Sequence, residues 1–253
     1  MASIKYTLRN APVYRAIIIN NDEQTRIELS FDSKKFNRKI FARAEERFGK
    51  NSLICKSITN DINPDNATGS SSLFSIFSNE IWREEFPHQS LQSLITLDDI
   101  EDILSYNPNF FSGFYSAIPS VVLRTAKDES WQKNQRIIDY LLPQLKNKQA
   151  YFNPEDPLVI TNPKIIKDKT EEDYGLLLEI TENTVLTNDS RLASGNSTIK
   201  LGAVKKLWTK PTGLSRLCMG EDVLDSNGSN LEYSVSRGRV VLRDATGVES
   251  QKI

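Results

Sequence analysis

The chain has 253 residues, with 32 basic and 33 acidic side chains and a formal net charge of -1. That balance excludes a global attraction to nucleic acid or to an anionic membrane, so any such binding has to come from a local patch. A hydrophobic fraction of 38% can form a real core at this length, and no apolar run approaches the roughly 20 residues of a spanning helix.

The N-terminus, Met1-Ala2-Ser3-Ile4-Lys5-Tyr6, has no apolar stretch ahead of a cleavage site. It therefore predicts no secretion by a signal peptide and a cytoplasmic or virion-associated location. In such a compartment Cys55 and Cys218 are expected to be free thiols rather than a disulfide.

Residues 13–20 are rich in β-branched side chains, and 26–31 place Ile27, Leu29 and Phe31 on one face. The polar turn between them predicts a β-hairpin. Ser33 is placed to cap a helix over 35–48, with Phe36, Ile40, Phe41, Ala44 and Phe48 on one stripe and Gly49 at its end. Residues 53–58 read as a third strand, which completes a β-β-α-β unit.

The stretch 59–72, with Asn, Asp, Pro, Gly and three consecutive serines, predicts a loop. A helix follows over 72–85, where Leu73, Phe77 and Ile81 recur every fourth residue with Phe74 and Trp82 beside them. Thr96 caps another, which turns Leu97, Ile100, Ile103 and Leu104 inward and has acids around its positive end. Residues 110–124 are apolar, and Pro119 divides them into two short pieces. Ser130 caps a further helix with Trp131, Ile137, Ile138, Leu141, Leu142 and Leu145 inward, which Pro143 should kink or end.

From 153 onward the helical period fades. Residues 158–160, 174–181, 197–204, 231–235 and 239–243 read as strands, the last two as a hairpin about 236–238. The fold class is α+β: an N-terminal β-β-α-β unit, several helices, then a C-terminal mostly antiparallel β region. The corresponding division is a mixed α/β region over 1–152 and a β-rich region over 153–253. The tail from 245 should fray unless a partner holds it.

Catalytic chemistry finds few candidates. His88 is the one histidine, and Gly213-Leu214-Ser215-Arg216-Leu217 lacks the closing glycine of a nucleophile elbow. Three Cys and His residues scattered along the chain do not make an ordinary structural zinc site. Asp61-Ile62-Asn63-Pro64-Asp65 resembles the first half of a calcium loop, but the sixth position is Asn66 and the twelfth is Ser72. No phosphate-binding glycine pattern occurs, and no cofactor is expected. Asp156, beside Glu155, and Glu179 are strand carboxylates that could hold a metal in a nuclease or hydrolase. The Glu-X-Lys spacing fails at Thr181, so Lys200 or Lys205 would have to supply the cation.

The most unusual feature is charge segregation. Asp168, Glu171, Glu172, Asp173, Glu179, Glu182 and Asp189 precede Arg191, Lys200, Lys205, Lys206, Lys210 and Arg216, with Trp208 among the latter. Acidic and basic strands could pair within one sheet, the basic segment could meet an acidic subunit, or it could touch nucleic acid with Trp208 stacking. Phe74 and Phe77 lie in a helix with apolar residues on more than one face and could dock in a partner's groove.

Together these features point to a non-enzymatic structural or protein-interaction subunit of a larger assembly, such as a phage-type virion or contractile tail. Its partner-binding candidates are Lys200, Lys205, Lys206, Trp208, Lys210, Arg216, Phe74 and Phe77. The alternatives are a metal-dependent nuclease or hydrolase and a nucleic-acid binder acting through 191–216.

Overall fold

The structure is a computed structural model and describes residues 3–7, 14–19, 33–66, 68–85 and 93–244. These form, in order, β1 (Ser3–Thr7), β2 (Tyr14–Ile19), α1 (Ser33–Phe48), α2 (Leu53–Thr59), α3 (Ser72–Glu85), β3 (Ser93–Leu94), α4 (Leu97–Tyr106) and β4 (Ser116–Leu123). There follow α5 (Gln135–Asn147), β5 (Leu158–Thr161), β6 (Lys164–Lys167), β7 (Leu176–Glu179), β8 (Val185–Asn188) and β9 (Thr198–Leu201). The last four are β10 (Ala203–Thr209), β11 (Leu214–Met219), β12 (Val223–Ser226) and β13 (Val241–Asp244). The class is α+β.

Seven strands make the main sheet, in the order β8-β5-β4-β11-β12-β10-β9. All neighbours are antiparallel except β10 and β12. Every residue of β4 is buried, as a central strand covered on both faces requires. Val121 and Leu123 enter a core with α1, α2, α3, α5 and the β6–β7 hairpin. Ile118 and Val122 enter a second core with α4 and Phe110, Phe111 and Phe114. Because β4 lies between β5 and β11, the regions on either side of residue 153 share one sheet.

Several sequence expectations need correction. Residues 53–58 are helical, not a strand: Ser52 caps α2 by accepting from Cys55 N at 3.2 Å, and Ile54, Cys55 and Ile58 face the core. A short apolar run cannot separate the two periods, and the cap decides. The first strand pair is β1 with β2, while 26–31 lie outside the described residues. Pro119 does not divide β4. The pairing with β11 shifts register between Arg216 and Cys218, opposite the proline, so its missing N–H falls in an irregularity rather than the regular ladder.

Helix α5 begins at Gln135, not at Ser130, and runs through Pro143, which is on the solvent side. The buried stripe Ile137, Ile138, Leu141 and Leu145 holds the helix despite the lost hydrogen bond. Residues 231–235 form no strand. Instead β13 pairs with β2 in parallel and with β3. The expected hairpin turn is used elsewhere: Gly238 O accepts from Gly69 N, and a Cβ on Gly238 would sit 2.4 Å from Ser70 N. The strand expected over 197–204 breaks at Gly202, where φ is +64° and a Cβ would lie 2.3 Å from Ser105 N.

The described residues between α2 and α3 are loop and turn, as expected, and the three serines at their end are buried. Ser71 caps α3 by accepting from Phe74 N, Ser70 Oγ accepts from Ala117 N, and Tyr115 OH donates to Ser70 O. Hydroxyls are small enough to satisfy backbone groups where helix and sheet meet.

Candidate interaction surface

The acidic and basic segments do not neutralise each other across neighbouring strands. β7 pairs with β6, where Glu179 stands opposite Lys164, and β10 pairs with β9 and β12. The basic side chains find acids from other parts of the chain. Lys206 pairs with Asp222 at 3.4 Å and Arg216 with Asp225 at 2.6 Å. Arg191 does hold Asp189 from the acidic segment, but also Glu101 on α4.

Lys210 is fully internal. Its Nζ donates to both Asp128 oxygens, at 2.9 and 3.0 Å, and to Leu214 O and Ser229 Oγ. Asp128 also accepts from Ser130 N and Oγ, Trp131 N, Asn134 Nδ2 and Leu214 N. Burial alone would raise the Asp128 pKa, but the donors Asn134, Lys210 and Ser130 outweigh it and hold the carboxyl below its ordinary range. Asn134 extends the network by accepting from Tyr174 OH, which in turn accepts from Trp131 Nε1. This cluster ties the turn after β4 to α5, the β6–β7 hairpin and the start of β11.

Lys205 is buried on the inner side of β10 and donates to the carbonyls of Pro108 and Glu221. Arg124, completely buried at the end of β4, has no carboxylate partner among the described residues. It donates to Ser215 Oγ, Leu192 O and Ser226 Oγ, and burial pushes its pKa down to about 10. Phe74 and Phe77 are both wholly buried in the α1–α3 core and offer nothing to a partner's groove.

Of the eight candidates, Lys200, Lys206 and Trp208 remain exposed. They share one face of the sheet beyond the part that the helices cover. The register sets Val204 opposite Lys200, Lys206 opposite Thr198 and Val223, and Trp208 opposite Asp225. Paired residues point to the same side of a sheet. The other side of the same strands, with Ile199, Leu201, Leu207 and Leu224, is core. Val204 is 72% and Trp208 55% exposed. Arg216 lies 4.4 Å over the ring of Tyr233, itself 44% exposed, which continues the strip past Asp225. Sequence reasoning missed Val204, Val223 and Tyr233. The period-two exposure of Val204, Lys206 and Trp208 is the signal that marks the first, whereas Tyr233 reaches the strip only through its packing on Arg216.

Other chemistry is sparsely supplied. Asn63 Oδ1 accepts from the backbone N–H groups of Asp65 and Asn66, and Arg38 holds Asp65, so the calcium-like loop is a self-bonded turn. Asp156 precedes β5 and accepts from Tyr151 OH, whereas Glu179 pairs with Lys164 beyond the far end of that strand. Among the described residues no hydrogen bond or ion pair joins the two carboxylates or gives them a shared partner. No group of three or more His, Cys, Asp and Glu side chains able to hold a metal occurs among the described residues. Cys55 and Cys218 are free and buried, and burial pushes the Cys218 thiol up to about 12. His88 lies outside the described residues. No described helix is long and apolar enough to cross a membrane.

Compared with protein-family models, curated proteins and solved structures, the chain has no significant match.

Proposed function

We propose that this protein is a non-enzymatic protein-interaction subunit that docks through the open face of β9, β10 and β12, in an assembly of the phage-virion or contractile-tail kind. One observation carries the reading: Val204 and Trp208 are exposed on a face whose reverse side is packed core, and Tyr233, also exposed, continues it through Arg216. Tryptophan, tyrosine and arginine are the residues that dominate binding energy at protein interfaces, because they bury large area at small entropic cost.

The charge pattern favours a protein over nucleic acid. A phosphate backbone is held by uncompensated cations. Here Lys206 and Arg216 already have carboxylates, Lys205 and Lys210 are buried, and Lys200 is the one exposed cation of the five with no carboxylate partner among the described residues.

Lysine labelling tests the reading. Lys200 and Lys206 should be protected when the protein is labelled in its native source and reactive when the purified chain is labelled alone at low concentration. Equal labelling in both states would remove the proposal.

A further inference from the structure

Resting on that reading, we infer that the occupant of the β9–β10–β12 face is the same face of a second copy of this chain. The first argument is its charge. Lys200, Lys206 and Arg216 stand with Asp222 and Asp225, so the strip carries both signs. A strongly acidic or strongly basic partner meets charges of its own sign there as well as opposite ones. A surface carrying both signs is suited to itself, and two-fold pairs are the commonest oligomers.

The second argument is placement. The register sets the face out as a grid. Lys200 on β9 and Asp225 on β12 occupy opposite corners, with Lys206 at the centre. Val204 and Val223 lie on adjoining sides of that centre, and Trp208 and Thr198 on the other two. Two such faces stacked about a two-fold axis along the other diagonal set Lys200 of one copy over Asp225 of its partner. The same operation sets Val204 over Val223 and Trp208 over Thr198. Both charge contacts are then opposite in sign, and the exposed valine finds an apolar neighbour. Lys206 comes near its own equivalent on the axis, and Asp222 at its side offsets that repulsion.

The test uses the purified full chain and its oligomeric mass, measured by light scattering and sedimentation from low to high micromolar concentration. The wild type should show a concentration-dependent dimer. Val204→Glu should weaken it by roughly tenfold or more, because it buries a carboxylate against Val223. Lys200→Glu should weaken it too, because it sets two acids face to face. Both positions are exposed, so the variants should keep the wild-type circular dichroism and melting midpoint. A wild type that is monomeric at about 100 μM would overturn the inference, since a micromolar contact is populated there. So would a dimer that both variants leave intact. Protection of Lys200 and Lys206 in the native source without self-association in isolation would end the second-copy inference and leave the interaction reading standing.

Discussion

Replacing Lys210 with methionine isolates the contribution of the buried ion pair. The substitution keeps the length and apolar stem of the side chain and removes the ammonium that touches both Asp128 oxygens. Asp128 then stays in a site without measurable exposure, held by four neutral partners: Ser130, Trp131, Asn134 and the Leu214 N–H. Leu214 O and Ser229 Oγ each lose a donor as well. Removing one partner of a buried pair typically costs about 3–5 kcal/mol, because an uncompensated charge is left behind. The remaining donors to Asp128 place this case toward about 3 kcal/mol.

Urea unfolding followed by tryptophan fluorescence reads the change directly, since Trp131 is part of the network. A pH series adds an independent signature. In the wild type the lowered Asp128 pKa contributes stability that is present above the ordinary carboxylate value of about 3.9 and is lost as pH falls through the folded value. Without Lys210 the folded pKa rises, so the acid loss should begin at higher pH. The double variant Asp128→Asn/Lys210→Met should cost less than the two single changes added together. A loss under about 1 kcal/mol in Lys210→Met, with an unchanged acid profile, would refute the claim that this pair holds the turn after β4 in place.

Gly213→Ala should destabilise by about 2–4 kcal/mol in the same assay, from left-handed strain plus overpacking. Its φ is +69°, and the new Cβ would lie 2.3 Å from Asp128 Cγ. Phe77→Ala, at the centre of the α1–α3 core, should cost about 3–5 kcal/mol and leave any self-association per folded molecule unchanged. The Cys218 thiol should resist an aromatic disulfide reagent in the native state at neutral pH and react only on unfolding, since burial pushes its pKa up to about 12. Trp208→Ala, at a position 55% exposed, should change stability by no more than about 1 kcal/mol while abolishing the interaction of the open face.

Local signals were sufficient where one element's own chemistry decides. Thr96 and Asp99 form the capping box at the start of α4, and the four-residue apolar spacing from Leu73 to Ile81 is the buried stripe of α3. They were insufficient where the partner is distant. The serine run, read as a loop, is buried because Ala117 and Tyr115 approach it from β4 and its preceding turn. Tyr233 joins the candidate surface only because Arg216, seventeen residues earlier, lies over its ring.

The charge partition shows the same division. The order of residues establishes that acids fill 168–189 and bases 191–216, and the near-zero net charge rules out global attraction to a polyanion. Which of those bases reach solvent was decided by pairing and packing. Strand alternation turns Lys205 inward and Lys206 outward, and Asp128 draws Lys210 into the interior. The reason is physical: a charge is fixed by its residue, but its exposure is set by what the fold places within about 4 Å of it. Only the assembled sheet leaves Lys200, Val204, Lys206 and Trp208 as one open face.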